Sequence, residues 1–248
     1  MESGHPFLTL TGPTMPSQSH RRQPDRGFGW FASEAGQGLL EVESAAQERL
    51  LNSGPTLPWL WMGVQAAAPP LSERRGICLR KSATGGTFHG ALQCSSTLPL
   101  ASESFGAVLI QHALDDAGAP EDLLTECERI LTPGGSLWLA ALNPLSPYRL
   151  RWSRSGLHAR PAGRWQAALK RAGFALDSVH LQWIGPRWRT GRGEAGVAAA
   201  DRLRAGMALT IIKRPYALIP PRPVRAVSWQ PGGATSQPLG RRPAIMRR

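Results

Sequence analysis

The apolar positions of this chain keep a helical spacing near its start and a strand spacing after it. Residues 28–54 place Phe31, Leu39, Leu40, Val42, Ala46, Leu50 and Leu51 on a rough helical period and end in Asn52-Ser53-Gly54. That spacing predicts one amphipathic helix packed on something larger. Short apolar runs follow. Residues 57–62 (LPWLWM) predict a strand closed by Gly63, with weaker strands at 76–79 (GICL) and 87–94 (TFHGALQC). Residues 105–114 (FGAVLIQHAL) hold the strongest strand, because 107–110 are apolar without a break, as in a strand buried on both faces.

The segment after Pro120 reads as the best helix. Pro120 takes its first turn, Glu121 and Asp122 favour the positive end of the helix dipole, and Leu123, Leu124, Cys127, Ile130 and Leu131 form one apolar face. Pro133-Gly134-Gly135 stops it, and residues 136–142 (SLWLAAL) form a buried strand ended by Asn143-Pro144. A helix over 162–172 with a Gly173 stop, an alternating strand over 174–184 and a strand over 207–212 (MALTII) complete the pattern. Strand–helix–strand alternation implies right-handed parallel crossovers. The expected fold is α/β: a Rossmann-like open sheet, mostly parallel, with helices on both faces and an antiparallel edge hairpin from the two closing strands. Residues 1–27 and 216–248 lack periodicity and are rich in Pro and Arg, so they read as a disordered leader and a basic disordered tail around a domain at 28–215. Met15 allows a later start.

Composition changes this picture in one respect. With 42% hydrophobic residues the chain can bury a core, while 29 Lys+Arg against 17 Asp+Glu give a net charge of +12. That balance excludes an acidic solvating protein and brings in nucleic acid or an anionic surface. The charge is uneven, however: residues 1–146 carry 9 bases and 14 acids (net −5), and 147–248 carry 20 bases and 3 acids (net +17). In the basic portion Arg149, Arg151, Arg154, Arg160 and Arg164 interleave with Tyr148, Trp152 and Trp165, and Arg187, Arg189 and Arg192 with Trp183 and Trp188. Such interleaving suits an RNA-contacting surface. It equally suits a GC-rich codon bias, since 26 of the 29 bases are Arg, with the Trp residues filling a core. Cys78, Cys94 and Cys127 are widely separated with no C-x-x-C pair, which argues against a disulfide framework or a zinc site, and the isolated His89, His158 and His180 lack metal-ligand spacing, so no metal site is expected. No apolar run approaches the length of a membrane span and the leader lacks the order of a signal peptide, so the expected compartment is the cytoplasm.

In open α/β sheets a ligand lies beyond the carboxyl ends of the strands, which makes Gly63, Cys94, Ser95, Gln111, His112 and Asn143 the candidate site residues. Residues 98–108 (LPLASESFGAV), followed by His112-Ala113-Leu114-Asp115 and by the pattern from Leu124 through Pro133-Gly134-Gly135 to Leu142, resemble the class I S-adenosylmethionine-dependent methyltransferases of the type 11 kind. The resemblance implies S-adenosylmethionine as cofactor and an unassigned methyl acceptor. It places a Gly-rich turn after the first strand, an acid ending the second, a polar residue after the third, and groups facing sulfonium and substrate after the fourth. On that pattern Gly63, Cys94, Ser95, Gln111 and His112 occupy cofactor positions, His112 is the catalytic candidate, and Asn143 borders the substrate. The competing reading of His112 is an imidazole hydrogen-bonded to backbone, and Asp115-Asp116 read as a solvated approach to a helix.

The chain departs from the family at each cofactor position. Residues 61–70 (WMGVQAAAPP) retain only Gly63 of the glycine turn, Leu79-Arg80-Lys81 ends in cations where the family has an acid, and Cys94 and Gly106 stand where acids are expected. Two readings follow: a methyltransferase with a divergent cofactor site, and a catalytically inactive methyltransferase-like domain that binds RNA or protein.

Overall fold

The structure, a computed structural model, describes residues 28–82, 86–116, 118–187 and 199–214. The leader (1–27), the tail (216–248) and Trp188, Arg189 and Arg192 lie outside the described residues. Everything described falls within one unit, residues 1–215.

Seven strands build the sheet: β1 (Trp59–Gly63), β2 (Gly76–Lys81), β3 (Phe88–Gly90), β4 (Phe105–Gln111), β5 (Leu131–Leu142), β6 (His180–Arg187) and β7 (Arg204–Ile212). Their order is β3-β2-β1-β4-β5-β7-β6. β2, β1, β4 and β5 are parallel, β7 runs antiparallel to β5, and β6 pairs antiparallel with β7. The expected mostly parallel sheet with an antiparallel edge hairpin is therefore present. The opposite edge differs from a simple crossover pattern, because β3 is antiparallel to β2. Residues 82–87 are too few for a crossover, which takes a dozen or more, so the chain can only turn back.

Alternation along the strands sends successive side chains to opposite faces. Leu60, Met62, Val108, Ile110, Leu137 and Leu139 join α2 (Glu121–Ile130) and α4 (Ala162–Arg171) in one core layer. Trp59, Trp61, Leu109, Trp138 and Leu142 join α1 (Glu34–Ser53) in the other. The short α3 (Arg149–Trp152) adds Trp152 to that second layer. Among the described residues no α-helix connects β1 to β2, β2 to β3 or β3 to β4. In the second layer Trp30 meets Trp152 edge-on at 4.9 Å and Phe31 at 5.1 Å.

Several boundaries differ from the sequence expectation. The helix expected over 28–54 splits into a 3-10 turn, Phe28–Ala32, and α1, because the Ser33 side chain accepts the Gly36 N–H and caps the helix there. β3 stops at Gly90, and Cys94 returns beside Phe88 as an isolated bridge. Pro120 is the N-cap of α2 rather than its first turn. β5 begins already at Leu131, with a register shift before it pairs regularly. No helix among the described residues is long and apolar enough to cross a membrane.

α1 is seated on β6 and β7 by glycines. A Cβ at Gly185 or Gly206 would come within 2.4 or 2.8 Å of Leu39 Cδ1, so both positions leave room for that side chain. Gly36 works the same way against the preceding turn, where a Cβ would lie 2.5 Å from the Trp30 carbonyl oxygen and 2.6 Å from Phe31 Cα. Gly38 has open space around it. Gly36→Ala should therefore lower unfolding stability by about 1–3 kcal/mol through overpacking against backbone. Gly38→Ala should raise it by about 0.5–1 kcal/mol through helix propensity. Urea melts of the two variants check this, and a Gly36→Ala protein as stable as wild type would contradict the packing.

Candidate functional site

β4 ends at the carboxyl edge with Gln111 and His112. His112 sits in the left-handed region, φ 56°, unusual for a residue with a side chain. Its N–H donates to Ala140 O at 3.1 Å, which fixes the bend against β5. The imidazole lies between two carboxylates: Nε2 is 2.8 Å from Glu43 Oε1 and Nδ1 is 2.7 Å from Asp115 Oδ2. Gln111 Nε2 donates to Glu43 Oε2 at 2.9 Å, and Trp61 Nε1 donates to Gln111 Oε1 at 3.1 Å. The Leu142 N–H donates to Asp115 Oδ2 at 3.0 Å. One connected network thus joins α1, β1, β4 and the end of β5. Glu43, Gln111, His112 and Asp115 are each 0% exposed, and the Phe31 ring covers the imidazole at 4.5 Å.

With an acceptor at each ring nitrogen, both nitrogens donate, so His112 is held as the imidazolium. Burial by itself opposes that charge, but Glu43 and Asp115 together outweigh it and push the His112 pKa up to about 10. The Asp115 carboxyl is also raised, first by burial, against the pull of His112 and the Leu142 N–H. Both directions follow from the count. Two carboxylates share one imidazole, so the cluster gives up its proton late and accepts another early. Asp115 Oδ1 has no hydrogen-bond partner among the described residues, and neither amide atom of Gln47, one turn along α1, has one.

The arrangement limits what His112 can do. Both nitrogens are engaged and the ring is closed to solvent, so it has no free position from which to exchange a proton with a ligand. The carboxylates lie on opposite sides of the ring and cannot converge on one ion. Among the described residues no three of His, Cys, Asp and Glu are grouped to hold a metal.

The other candidates are likewise placed by internal bonds. Gly63 pairs with His112 as an isolated bridge, and the following Val64 N–H donates to Gln111 O at 3.2 Å. A Cβ on Gly63 would meet the Trp61 indole at 2.1 Å, so that ring fills the space this glycine leaves. Asn143 Nδ2 donates to Arg202 O and Arg204 O at 2.8 and 2.7 Å, and its Oδ1 accepts from Leu145 N at 3.0 Å, which ties the end of β5 to the start of β7. Cys94 exchanges backbone hydrogen bonds with Phe88 on the outer hairpin, and burial pushes its thiol pKa up. Ser95, beside it, is exposed. The structure therefore brings Gly63, Gln111 and His112 together, ties Asn143, next to Leu142, to the start of β7, and leaves Cys94 and Ser95 on the outer hairpin.

At the end of β2 the two cations turn inward. Arg80 Nη1 donates to Gln65 O at 3.0 Å and Ala67 O at 2.6 Å, with the guanidinium 5.4 Å from the Trp61 ring centroid. Lys81, buried, donates to Ala113 O at 2.7 Å and pairs with Asp116. Side chains of β2 thus bridge the loop after β1 and the loop after β4.

Two expectations need correction. Asp115 is not solvated but fully buried, because His112 and the Leu142 N–H claim its carboxylate; Asp116, 29% exposed, is paired with Lys81. The Arg/Trp interleaving is not a stacking surface at Trp152 or Trp165, which are 0% exposed in the two core layers, and Trp183 packs against the core half-buried. Sequence reasoning also missed Glu43. Its signal was a carboxylate in the apolar stripe formed by Leu39, Leu40 and Leu51.

Comparison with known proteins gives a consistent picture. Residues 75–139 match the family model described as a methyltransferase domain. That match starts after β1, so the turn holding Gly63 falls outside it. A ubiquinone/menaquinone biosynthesis C-methyltransferase from Cereibacter sphaeroides is 26% identical over 141 residues, covering 54% of this chain and 54% of the relative. The chain thus spans about half the length of the curated relatives it matches. The crystal structure of a SAM-dependent methyltransferase from Archaeoglobus fulgidus superposes with a TM-score of 0.51 at 13% identity, over 75% of this chain and 97% of that one, a likeness of fold.

The buried cluster makes stability depend on pH. The folded chain keeps the His112 proton up to about pH 10, while the unfolded chain releases it near about 6.5. The contribution is complete below about pH 6.5 and is lost as pH rises toward about 10, at up to about 1.4 kcal/mol per pH unit. Urea melts across that window should show falling stability for wild type and a flatter profile for His112→Gln, which should already be weaker at neutral pH. Parallel profiles would show that His112 is not held as a cation.

Proposed function

We propose, on the premise that the chain is a class I S-adenosylmethionine-dependent methyltransferase domain, that it acts as a binding module and has given up the family's cofactor at its usual seat. The observation that carries this reading is the inward turn of Arg80 and Lys81. The family resemblance puts an acid at the end of the second strand to accept ribose hydroxyls. Here two cations stand in its place, and their bonds to Gln65 O, Ala67 O and Ala113 O and the pairing with Asp116 occupy the ground between the loops after β1 and β4. The Trp61 indole fills the space beside Gly63 that a glycine turn would leave for the methionine end. S-adenosylmethionine is itself a cation at its sulfonium, so the Arg80 charge at the seat opposes it further, while Lys81 is balanced by Asp116. These residues do not fit the cofactor, and no methyl-transfer step is derived through them.

A protein partner is favoured over RNA, because Trp152 and Trp165, aromatic groups on which bases would stack, belong to the core. A second reading, methyl transfer to an unassigned acceptor through a displaced cofactor, draws support from the methyltransferase-domain match at 75–139 and from the C-methyltransferase relatives.

Calorimetric titration of the full chain with S-adenosylmethionine and with its demethylated product separates the two. The binding-module reading predicts no saturable heat with either ligand up to about 1 mM. Stoichiometric binding of either one would overturn it in favour of the enzyme.

A further inference from the structure

Beyond the end of β4, a recess of about 340 Å³ opens between the loop that follows the strand and the segment entering α4. Asp116, His158, Ala159, Arg160, Pro161 and Arg164 line it. It lies past the carboxyl edge, where open α/β sheets take their ligands, and its size falls within the roughly 300–1,000 Å³ of small-molecule sites. We infer that it binds a small phosphomonoester. Neither the family match nor the buried cluster assigns this site, and it holds whether or not S-adenosylmethionine binds.

The charges of the lining set the sign of the ligand. Arg160 and Arg164 both face the recess, and its acid, Asp116, is committed to Lys81. Arg160 is fixed in place: its Nη1 donates to Leu114 O at 3.1 Å, its Nη2 to Gly118 O at 3.2 Å, and its guanidinium lies 5.2 Å from the Trp165 ring centroid. A charge held this way loses little freedom when a ligand arrives. Arg164 and His158 are exposed residues. The Arg164 guanidinium has no ion pair or hydrogen bond among the described residues, which leaves its planar fork of donors for an anion.

The wall points to phosphate with an organic remainder. Arg164 and His158, both with side-chain N–H donors, line the recess, and a tetrahedral phosphate offers three oxygens in different directions where a carboxylate offers two in one plane. Bare phosphate would leave most of the volume empty, whereas Ala159 and Pro161 supply apolar wall for a part the size of a sugar.

The test titrates the full chain with ribose 5-phosphate, ribose and inorganic phosphate, followed by amide NMR shifts. The inference predicts saturable binding of ribose 5-phosphate, at least about tenfold tighter than either ribose or inorganic phosphate. Arg164→Ala, at an exposed position, should weaken it by about tenfold, while Lys170→Ala, an equal loss of charge farther along the same helix, should change it less than about twofold. No saturation up to about 10 mM, equal affinity for ribose or for inorganic phosphate, or an unaltered Arg164→Ala protein would each overturn it. S-adenosylmethionine carries no phosphate, so its titration fails or succeeds separately.

Discussion

One imidazolium held between two carboxylates in a dry interior sets the terms for the rest of this structure. Glu43 comes from α1, 69 residues before His112, and Asp115 from the loop after β4. Removing one member of a buried, hydrogen-bonded charge group costs about 3–5 kcal/mol, because the others are left uncompensated. The cluster therefore gives α1 a single register on the sheet. It also accounts for the left-handed backbone of His112, a strained conformation that persists where surrounding contacts over-determine it. The same bonds take away the freedom a catalytic imidazole would need.

The two halves of the sheet follow from this. On the β4–β5 side, α2 and α4 cover one face with Leu123, Leu124, Cys127, Ile130, Trp165 and Leu169, as ordinary amphipathic helices do. On the β1–β2 side the connections hold no helix among the described residues, and Trp59 and Trp61 of β1 pack into the layer that α1 shares. Loops without helices expose carbonyls that need donors. Arg80 meets that need at Gln65 O and Ala67 O, while Lys81 ties β2 to Ala113 O and Asp116 in the loop after β4.

Much of the architecture was legible in the sequence, for physical reasons that differ by element. β4 announced itself because an unbroken apolar run suits a strand covered on both faces, and all seven of its residues are buried. α2 was legible from its acidic first turn and its stripe at Leu123, Leu124 and Cys127. The reversal of β3 was less so, although the short connector after Lys81 already forbids a crossover. Glu43 was hidden because a charged residue in a helix reads as solvated unless its partner is known, and its partner lies far along the chain. The Asp115-Asp116 doublet failed for the same reason: adjacent acids look alike in sequence, yet one is buried against His112 and the other pairs with Lys81. Trp152 and Trp165 show a further limit. Arginines flanking a tryptophan look the same whether the ring faces solvent or core. The neighbours Ala168 and Leu169, three and four positions after Trp165, were the signal that it lies on an apolar face.

The most direct test of the central claim is the protonation state of His112, read by nitrogen NMR of protein labelled at histidine. At about pH 8, where an ordinary imidazole is neutral, His112 should show two protonated ring nitrogens, with both N–H protons protected from exchange and unchanged by added S-adenosylmethionine. A neutral ring titrating near about 6.5, or a signal that moves on adding that ligand, would contradict the account.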